Sequence, residues 1–117
     1  MTPKEKLVLS IGLAQNPGQC SYLTPIMGEP ACVIGQLMVL EGLSTSAIAP
    51  LDGMTVGAVM HSAFVEESVK SSLSGHDIGL LSSVQSVWDR TSIDVPREAN
   101  EDELRTYMLF LVEEYYA

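Results

Sequence analysis

Apolar residues spaced three and four positions apart recur along this chain of 117 residues, and several of these runs begin at a helix-capping signal. Thr2 and Glu5 form a capping box with a proline at the first helical position, which predicts a helix that ends near Asn16. Asn100 and Glu103 mark the start of the last helix in the same way. Because sustained alternation of apolar and polar residues is scarce, the pattern predicts an all-α fold.

The remaining apolar runs complete a compact bundle of about five helices. Composition indicates one globular domain over residues 1–117, long enough to bury about two-thirds of the surface that the unfolded chain exposes. Residues 19–29 are non-helical in composition and have room for a short two-stranded ribbon. After the first helix, we expect helices over residues 30–41, 55–73, 77–90 and 100–116.

The same spacing predicts which residues face the core. In the first helix, Val8 and Leu9 widen the apolar stripe, so we expect neighbouring elements to cover most of this helix. The predicted core-facing residues, helix by helix, are Leu7, Ile11 and Ala14; Val56, Val59, Met60 and Phe64; Ile78, Leu81, Val84 and Trp88; and Leu104, Met108 and Leu111, on a last helix that also carries Tyr115.

The charge balance is strongly acidic, with 15 acidic and 6 basic residues and a net charge of −9. Residues 89–117 hold eight of the acidic residues and three arginines. Direct binding of DNA or RNA phosphates needs a cationic face, which six scattered basic residues do not supply. The acidity indicates either a solubilising surface or one that meets a basic patch on a partner protein.

The segment Cys20–Gly35 holds both cysteines of the chain. Pro30 suits the first position of a helix, which places Cys32 in the first turn, near the positive end of the helix dipole. A thiol there ionises more easily than a free one, so Cys32 has a physical reason to be a nucleophile or a metal ligand, and Cys20 is the other candidate thiol. The other interpretation is that Cys32 is buried, and that Ala31, Cys32 and Gly35 are small residues that let this helix pack closely against its neighbours.

Cys20, Tyr22 and the run Pro30–Gly35 give this segment its pattern, and Gln85 and Asp89 follow near the end of the fourth predicted helix. In these residues the sequence resembles small accessory proteins encoded by bacteriophages of actinobacteria, a group without an assigned activity. The resemblance implies the cytoplasm of an infected bacterium as the setting, and it assigns no catalytic residue.

Two cysteines and two histidines could bind zinc, but their spacing differs from that of structural zinc sites, whose cysteines usually lie about two to four residues apart. A thiol enzyme would need a cysteine beside a histidine and a third, orienting group. No glycine-rich phosphate loop follows a predicted strand. We therefore expect no catalytic residue, metal or cofactor, with a cysteine-dependent enzyme or metal-binding protein centred on Cys32 as the alternative. We place His61 on a partly buried stripe and His76 in the turn before the fourth helix.

Aromatic residues surround the last predicted helix more broadly than one core-facing stripe requires. Such residues are enriched in protein interfaces, and here they accompany a net negative charge. Some of these aromatics should therefore be exposed, and we expect the protein-binding surface to include Tyr107, Phe110 or Tyr115, in contact with a host protein or a second copy of this chain. The alternative is that the other helices simply surround the last one.

Together these observations favour a small, acidic, non-enzymatic phage accessory protein that acts through protein–protein binding, in host modulation or anti-defence. No apolar run is long enough to predict a membrane span, and the first residues lack a secretory cleavage site. We expect a cytoplasmic protein without a membrane partner.

Overall fold

The structure, a computed structural model, is mostly helical over the residues that it describes, which are 1–19, 21–25 and 27–117. Within these residues the chain forms seven α-helices, one 3-10 turn over Ala49–Leu51, and no strand. The prediction of an all-α fold is confirmed. The helices are α1 Pro3–Leu13, α2 Val33–Leu40, α3 Thr45–Ile48, α4 Val56–His61, α5 Glu67–Ser72, α6 Ile78–Trp88 and α7 Glu101–Tyr116.

Side-chain caps start the first and last helices where the sequence predicts them. The Glu5 N–H donates to Thr2 Oγ1 at 3.1 Å, and the Thr2 N–H donates to Glu5 Oε1 at 3.0 Å, which completes the capping box of α1. Asn100 and Glu103 exchange equivalent bonds at the start of α7. Each cap of this kind contributes about 1 kcal/mol and joins residues only three apart, so the local sequence determines these two helix starts.

The second helix begins later than predicted, at Val33. Pro30 lies in an isolated antiparallel bridge with Leu23, next to a hydrogen bond of 2.8 Å from the Ala31 N–H to the Tyr22 carbonyl. The two-stranded ribbon predicted near residues 19–29 is therefore reduced, over the described residues, to this one bridge.

The third predicted helix is interrupted, so the prediction of one helix over residues 55–73 is wrong. The chain leaves the helical conformation after His61 and resumes it at Glu67. Between these residues, the Phe64 N–H donates to Ser62 Oγ at 3.2 Å, a local bond of the kind that competes with helical hydrogen bonds. Phe64, predicted to face the core, is instead 100% exposed. Valine and serine give this stretch too little helix propensity to bridge the gap.

A short helix that the sequence did not predict, α3, precedes the 3-10 turn. The Ala47 N–H donates to Ser44 Oγ at 3.3 Å, which caps its start. Ile48 and Leu51 anchor this segment by being buried in the core. The serines and the proline around these two apolar residues resemble a loop in sequence, which is why the helix was missed.

The core lies where α1 packs on α2 and α7, and where α6 packs on α7 and α4. Trp88, at the end of α6, is fully buried, and its Nε1–H donates to the Gln15 carbonyl at 3.0 Å. The Arg105 guanidinium of α7 lies 5.0 Å from the centroid of the same ring. The residues predicted to face the core and found buried are Leu7, Ile11, Ala14, Val56, Val59, Leu81, Val84, Trp88, Leu104 and Met108.

The outer side of α1 is less covered than predicted. Val8 and Leu9 are exposed, because α2 and α7 pack on the opposite side of this helix. The expectation that neighbours cover most of α1 is therefore wrong. In the described parts of the chain, no helix combines the length and the apolar character needed to cross a membrane.

Candidate functional site

Three residues of α7 were predicted to bind a partner, and the structure leaves each of them accessible. Tyr107 is 37% exposed, Phe110 57% and Tyr115 51%, so the expectation that some of the late aromatics are exposed is confirmed. The binding role remains a prediction. The side of α7 that faces the core holds Leu104, Met108 and Val112.

The three aromatic residues do not form one patch. Successive residues of a helix are turned by about 100°, which places Tyr107, Phe110, Glu103 and Glu114 within one narrow arc that we call the α7 outer face. Tyr115 is turned by about 140° from Phe110 on the same count. It packs edge-to-face on Tyr116 instead, with ring centroids 4.8 Å apart.

The α7 outer face is acidic as well as aromatic. The ion pairs of α7 among the described residues join Lys4 to Glu113 at 3.0 Å, and Arg105 to Glu101 and Asp102 at 3.4 and 3.9 Å. Glu103 and Glu114 belong to none of these pairs, and both are exposed. Two carboxylates therefore flank Tyr107 and Phe110 without a cation of the described chain to neutralise them.

Tyr107 also connects α7 to the loop that precedes it. Its hydroxyl donates to the Asp94 carbonyl at 3.1 Å. Arg90, in the left-handed conformation at φ 60°, fastens the other part of the loop, because its Nη1 donates to the carbonyls of Arg97 at 3.2 Å and Ala99 at 2.8 Å. The loop is thus held against α6 and α7 at both ends, and its middle faces solvent.

Ile93, in the middle of this loop, is 98% exposed. It lines a hollow of about 350 Å³, together with Val87, Asp94, Tyr107, Leu111 and four serine or threonine residues. We call this the Ile93 hollow. Sequence reasoning missed Ile93, although an isoleucine among threonine, serine and aspartate in a loop signals an apolar side chain without a core to enter.

Cys32 does not lie inside the first turn of α2 but is its N-cap, with Sγ accepting from the Gly35 N–H at 3.4 Å. The residue is buried, and this burial raises the pKa of the thiol to about 12. The expectation of an easily ionised thiol is therefore wrong, because desolvation outweighs the hydrogen bond that Sγ accepts from the Gly35 N–H. The other candidate thiol, Cys20, lies outside the described residues.

Tyr22 and Gln85, two residues singled out in the sequence, lie within hydrogen-bond distance of each other. The Tyr22 N–H donates to Asp52 Oδ1 at 2.9 Å, and the Tyr22 hydroxyl donates to the Met54 carbonyl. Gln85 Nε2 donates to the same hydroxyl at 3.3 Å, while Gln85 Oε1 accepts from the Val56 N–H at 2.9 Å. We call Tyr22, Asp52 and Gln85, with Cys32 beside them, the Tyr22 cluster.

Charge and burial in the Tyr22 cluster act in the same direction. Burial raises the pKa of Tyr22, and the negative charges of Asp89 and Asp52 raise it further. The same two carboxylates add to the rise in the pKa of Cys32. Both side chains are thus held protonated and covered, which suits a hydrogen-bonded joint between loops and opposes nucleophilic chemistry.

The lack of a side chain at Gly35 permits the close packing of α2 against Tyr22. A Cβ on Gly35 would stand 2.1 Å from the Tyr22 carbonyl oxygen, a distance that no side chain tolerates. The prediction that Gly35 permits close packing of the second helix is confirmed in this contact. The Cys20–Gly35 pattern, over its described residues, is therefore explained by the way the segment packs.

One of the two histidines differs from its prediction. His61, expected to be partly buried, is exposed at the end of α4. His76 lies in the predicted turn before α6, where it is buried, with Nε2 3.6 Å from Glu41 Oε2. Lys6 pairs with the same carboxylate. Burial lowers the pKa of His76, and the nearby ammonium of Lys6 lowers it too, against the opposing effect of Glu41.

No hydrogen bond or ion pair between described residues joins Cys32 to either histidine. Groups of three or more histidine, cysteine, aspartate or glutamate residues able to hold a metal are not found within residues 1–19, 21–25 and 27–117. The fold and the site together describe a small helical protein with a hydrogen-bonded cluster around the buried Tyr22 and an acidic aromatic surface on α7. Comparison with protein-family models, with curated proteins and with solved structures finds no match to this chain.

Proposed function

We propose that this protein is a small, acidic, non-enzymatic accessory protein that acts by binding another protein through the α7 outer face. The observation that carries the proposal is the exposure of Phe110, which is 57%, on an arc shared with Tyr107 and two carboxylates. Aromatic side chains are the commonest anchors of protein interfaces, because each buries a large apolar area at little cost in side-chain entropy.

The acidic charge supports the same proposal. Glu103 and Glu114 flank the aromatics, and a chain with a net charge of −9 attracts basic partners from a distance. The partner is therefore a protein with a basic surface, such as a host protein, in preference to a second copy of this acidic chain. On the sequence resemblance, we place this activity in the cytoplasm of a phage-infected bacterium, in host modulation or anti-defence.

The test is affinity capture from a host lysate with the full chain and with single variants. Phe110→Ala removes an exposed aromatic from the α7 outer face, and Phe64→Ala is the matched control, because Phe64 is also exposed but lies between α4 and α5. We expect Phe110→Ala to lose most of the captured partner, since truncating a central anchor weakens an interface by about 2 kcal/mol or more. Phe64→Ala should retain it.

Capture that is equal for the unaltered protein, Phe110→Ala and Tyr107→Ala would contradict the proposal. Circular dichroism of each variant shows that it is folded before capture is compared. Sedimentation of the purified protein separates binding of a host protein from self-association, which would appear as a concentration-dependent mass without lysate.

A further inference from the structure

The Ile93 hollow adjoins the α7 outer face at Tyr107, and together they present a depression of mixed apolar and hydroxyl lining beside carboxylates. Ile93 and Leu111 supply apolar surface to the hollow, and Tyr107 lines both this hollow and a second, shallower depression at the start of α7. Ile93 projects almost entirely into solvent at 98% exposure, although leaving an aliphatic side chain in water forgoes the stabilisation that burial would give.

Charge distinguishes the two sides of the loop over residues 89–100, between α6 and α7, which we call the Ile93 loop. The described linings of the Ile93 hollow and of the shallower depression contain Asp94, Asp102 and Glu103 and no lysine, arginine or histidine. A separate hollow on the other side of Ile93, about 300 Å³, contains Arg90 and Arg97 and no carboxylate among its described lining residues. An approaching cation is therefore favoured on the α7 side of the loop and disfavoured on the other side.

The carboxylates on the α7 side are available to a partner. Asp102 is nearly fully exposed and lies 3.9 Å from Arg105, which is at the outer limit of an ion pair. Glu103 accepts one bond from the Asn100 N–H at 3.1 Å and keeps further acceptor capacity. Asp94 contributes its backbone carbonyl, not its carboxylate, to the bond with Tyr107.

We propose that the Ile93 hollow receives a basic segment of a partner protein, in which an aliphatic side chain enters the hollow and flanking lysine or arginine side chains meet Asp94, Asp102 and Glu103. This inference rests on the proposed function and specifies the chemistry of the partner. A second copy of this chain is a poor occupant, because its own residues 89–117 carry the same excess of negative charge. Nucleic acid is a poor occupant for the same reason.

The test uses a fluorescently labelled synthetic peptide of leucine and lysine, with two controls in which glutamate replaces lysine or glycine replaces leucine. Binding to the full chain is measured by fluorescence anisotropy, and the contact is located by chemical shifts of backbone amides. We expect the leucine–lysine peptide alone to bind, with the largest shifts near Ile93, Asp94 and Tyr107.

Two variants and a matched control decide the outcome. Ile93→Ser should weaken binding by about tenfold, which corresponds to the loss of one buried anchor. Asp94→Asn should weaken it less and reduce its dependence on salt. Glu67→Gln removes an exposed carboxylate on α5 and should leave binding unchanged.

Equal binding of the glutamate peptide, no binding of the lysine peptide, unchanged binding by Ile93→Ser, or an equal loss in Glu67→Gln and Asp94→Asn would overturn the inference. These failures differ from a failure of the proposed function. If partner capture depends on Phe110 but the lysine peptide does not bind, the binding surface stands and its partner chemistry is wrong.

Discussion

The Tyr22 cluster and the α7 outer face both contain aromatic and polar side chains, but they differ in how many of these side chains have partners within the molecule. In the Tyr22 cluster, the hydroxyl of Tyr22 and both ends of the Gln85 amide have partners inside the molecule. On the α7 outer face, Phe110 contacts solvent, and Glu103 and Glu114 have no cationic partner among the described residues. The most conspicuous sequence pattern, over its described residues, thus packs within the fold, and the α7 outer face is the surface that we propose to bind a partner.

The largest expected effect tests the closure of the Tyr22 cluster. Gly35→Ala should reduce the free energy of unfolding by about 3 kcal/mol or more, because its Cβ would stand 2.1 Å from the Tyr22 carbonyl oxygen and backbone cannot easily move away. Gly12→Ala is the matched control, since Gly12 is also helical but has no atom within 4 Å of an added Cβ. It should stabilise the protein by about 0.5 to 1 kcal/mol. Urea denaturation of both variants measures the difference, and similar values would refute the packing account.

The sequence predicts contacts between residues that are close along the chain and misses contacts between distant ones. Caps such as Thr2 with Glu5 join residues three apart, so the sequence alone predicts them. The Tyr22 cluster joins Tyr22 to Asp52 and Gln85, which lie 30 and 63 residues away along the chain, and no periodicity reports such contacts. Ile93 was missed for a related reason, because its exposure depends on how the loop is held.

A second comparison uses the same change of side chain in both regions. Tyr22→Phe should cost about 1 to 2 kcal/mol of unfolding free energy, because it removes the hydroxyl of a buried residue that bonds to both the Met54 carbonyl and Gln85. Tyr107→Phe removes a hydroxyl bond to the Asp94 carbonyl at the surface and should cost less than about 0.5 kcal/mol. Thermal or urea denaturation checks the pair. A larger loss in Tyr107→Phe than in Tyr22→Phe would reverse the roles that we assign to the two regions.

A third prediction concerns His76, which is buried against Glu41 and Lys6. Burial holds the pKa of His76 below its ordinary value near 6.5, so the unfolded chain takes up this proton at a higher pH than the folded chain does. The stability contributed by the neutral imidazole is therefore present above pH 6.5 and is lost as the pH falls through and below that value. Urea denaturation between pH 8 and 5 measures the slope of the unfolding free energy against pH, over a range that includes the pKa of about 6.5 of the free group.

His76→Gln keeps a polar side chain of similar reach without this titration, and its slope over the same range should be smaller. A stability that rises on acidification, or an unchanged slope in His76→Gln, would show that burial does not dominate at this imidazole. The carboxylate of Glu5, whose pKa is lowered by its bonds to Thr2, titrates at lower pH and does not confuse the comparison.

The smallest expected change in stability belongs to the surface that we expect to bind. Phe110→Ala should alter the free energy of unfolding by no more than about 0.5 kcal/mol, because the residue is largely exposed. Its effect should appear in partner capture alone. A loss of stability comparable to that of Tyr22→Phe would mean that Phe110 serves the core, and reduced capture would then have a trivial cause.

The most direct test of the account is hydrogen–deuterium exchange of the full chain, alone and with its captured partner. The account predicts slower exchange on binding in the Ile93 loop and along α7 near Tyr107 and Phe110, with no change in the amides of the Tyr22 cluster, which are protected already. Protection confined to residues around Phe64, between α4 and α5, would contradict it and would place the interface on the other exposed phenylalanine.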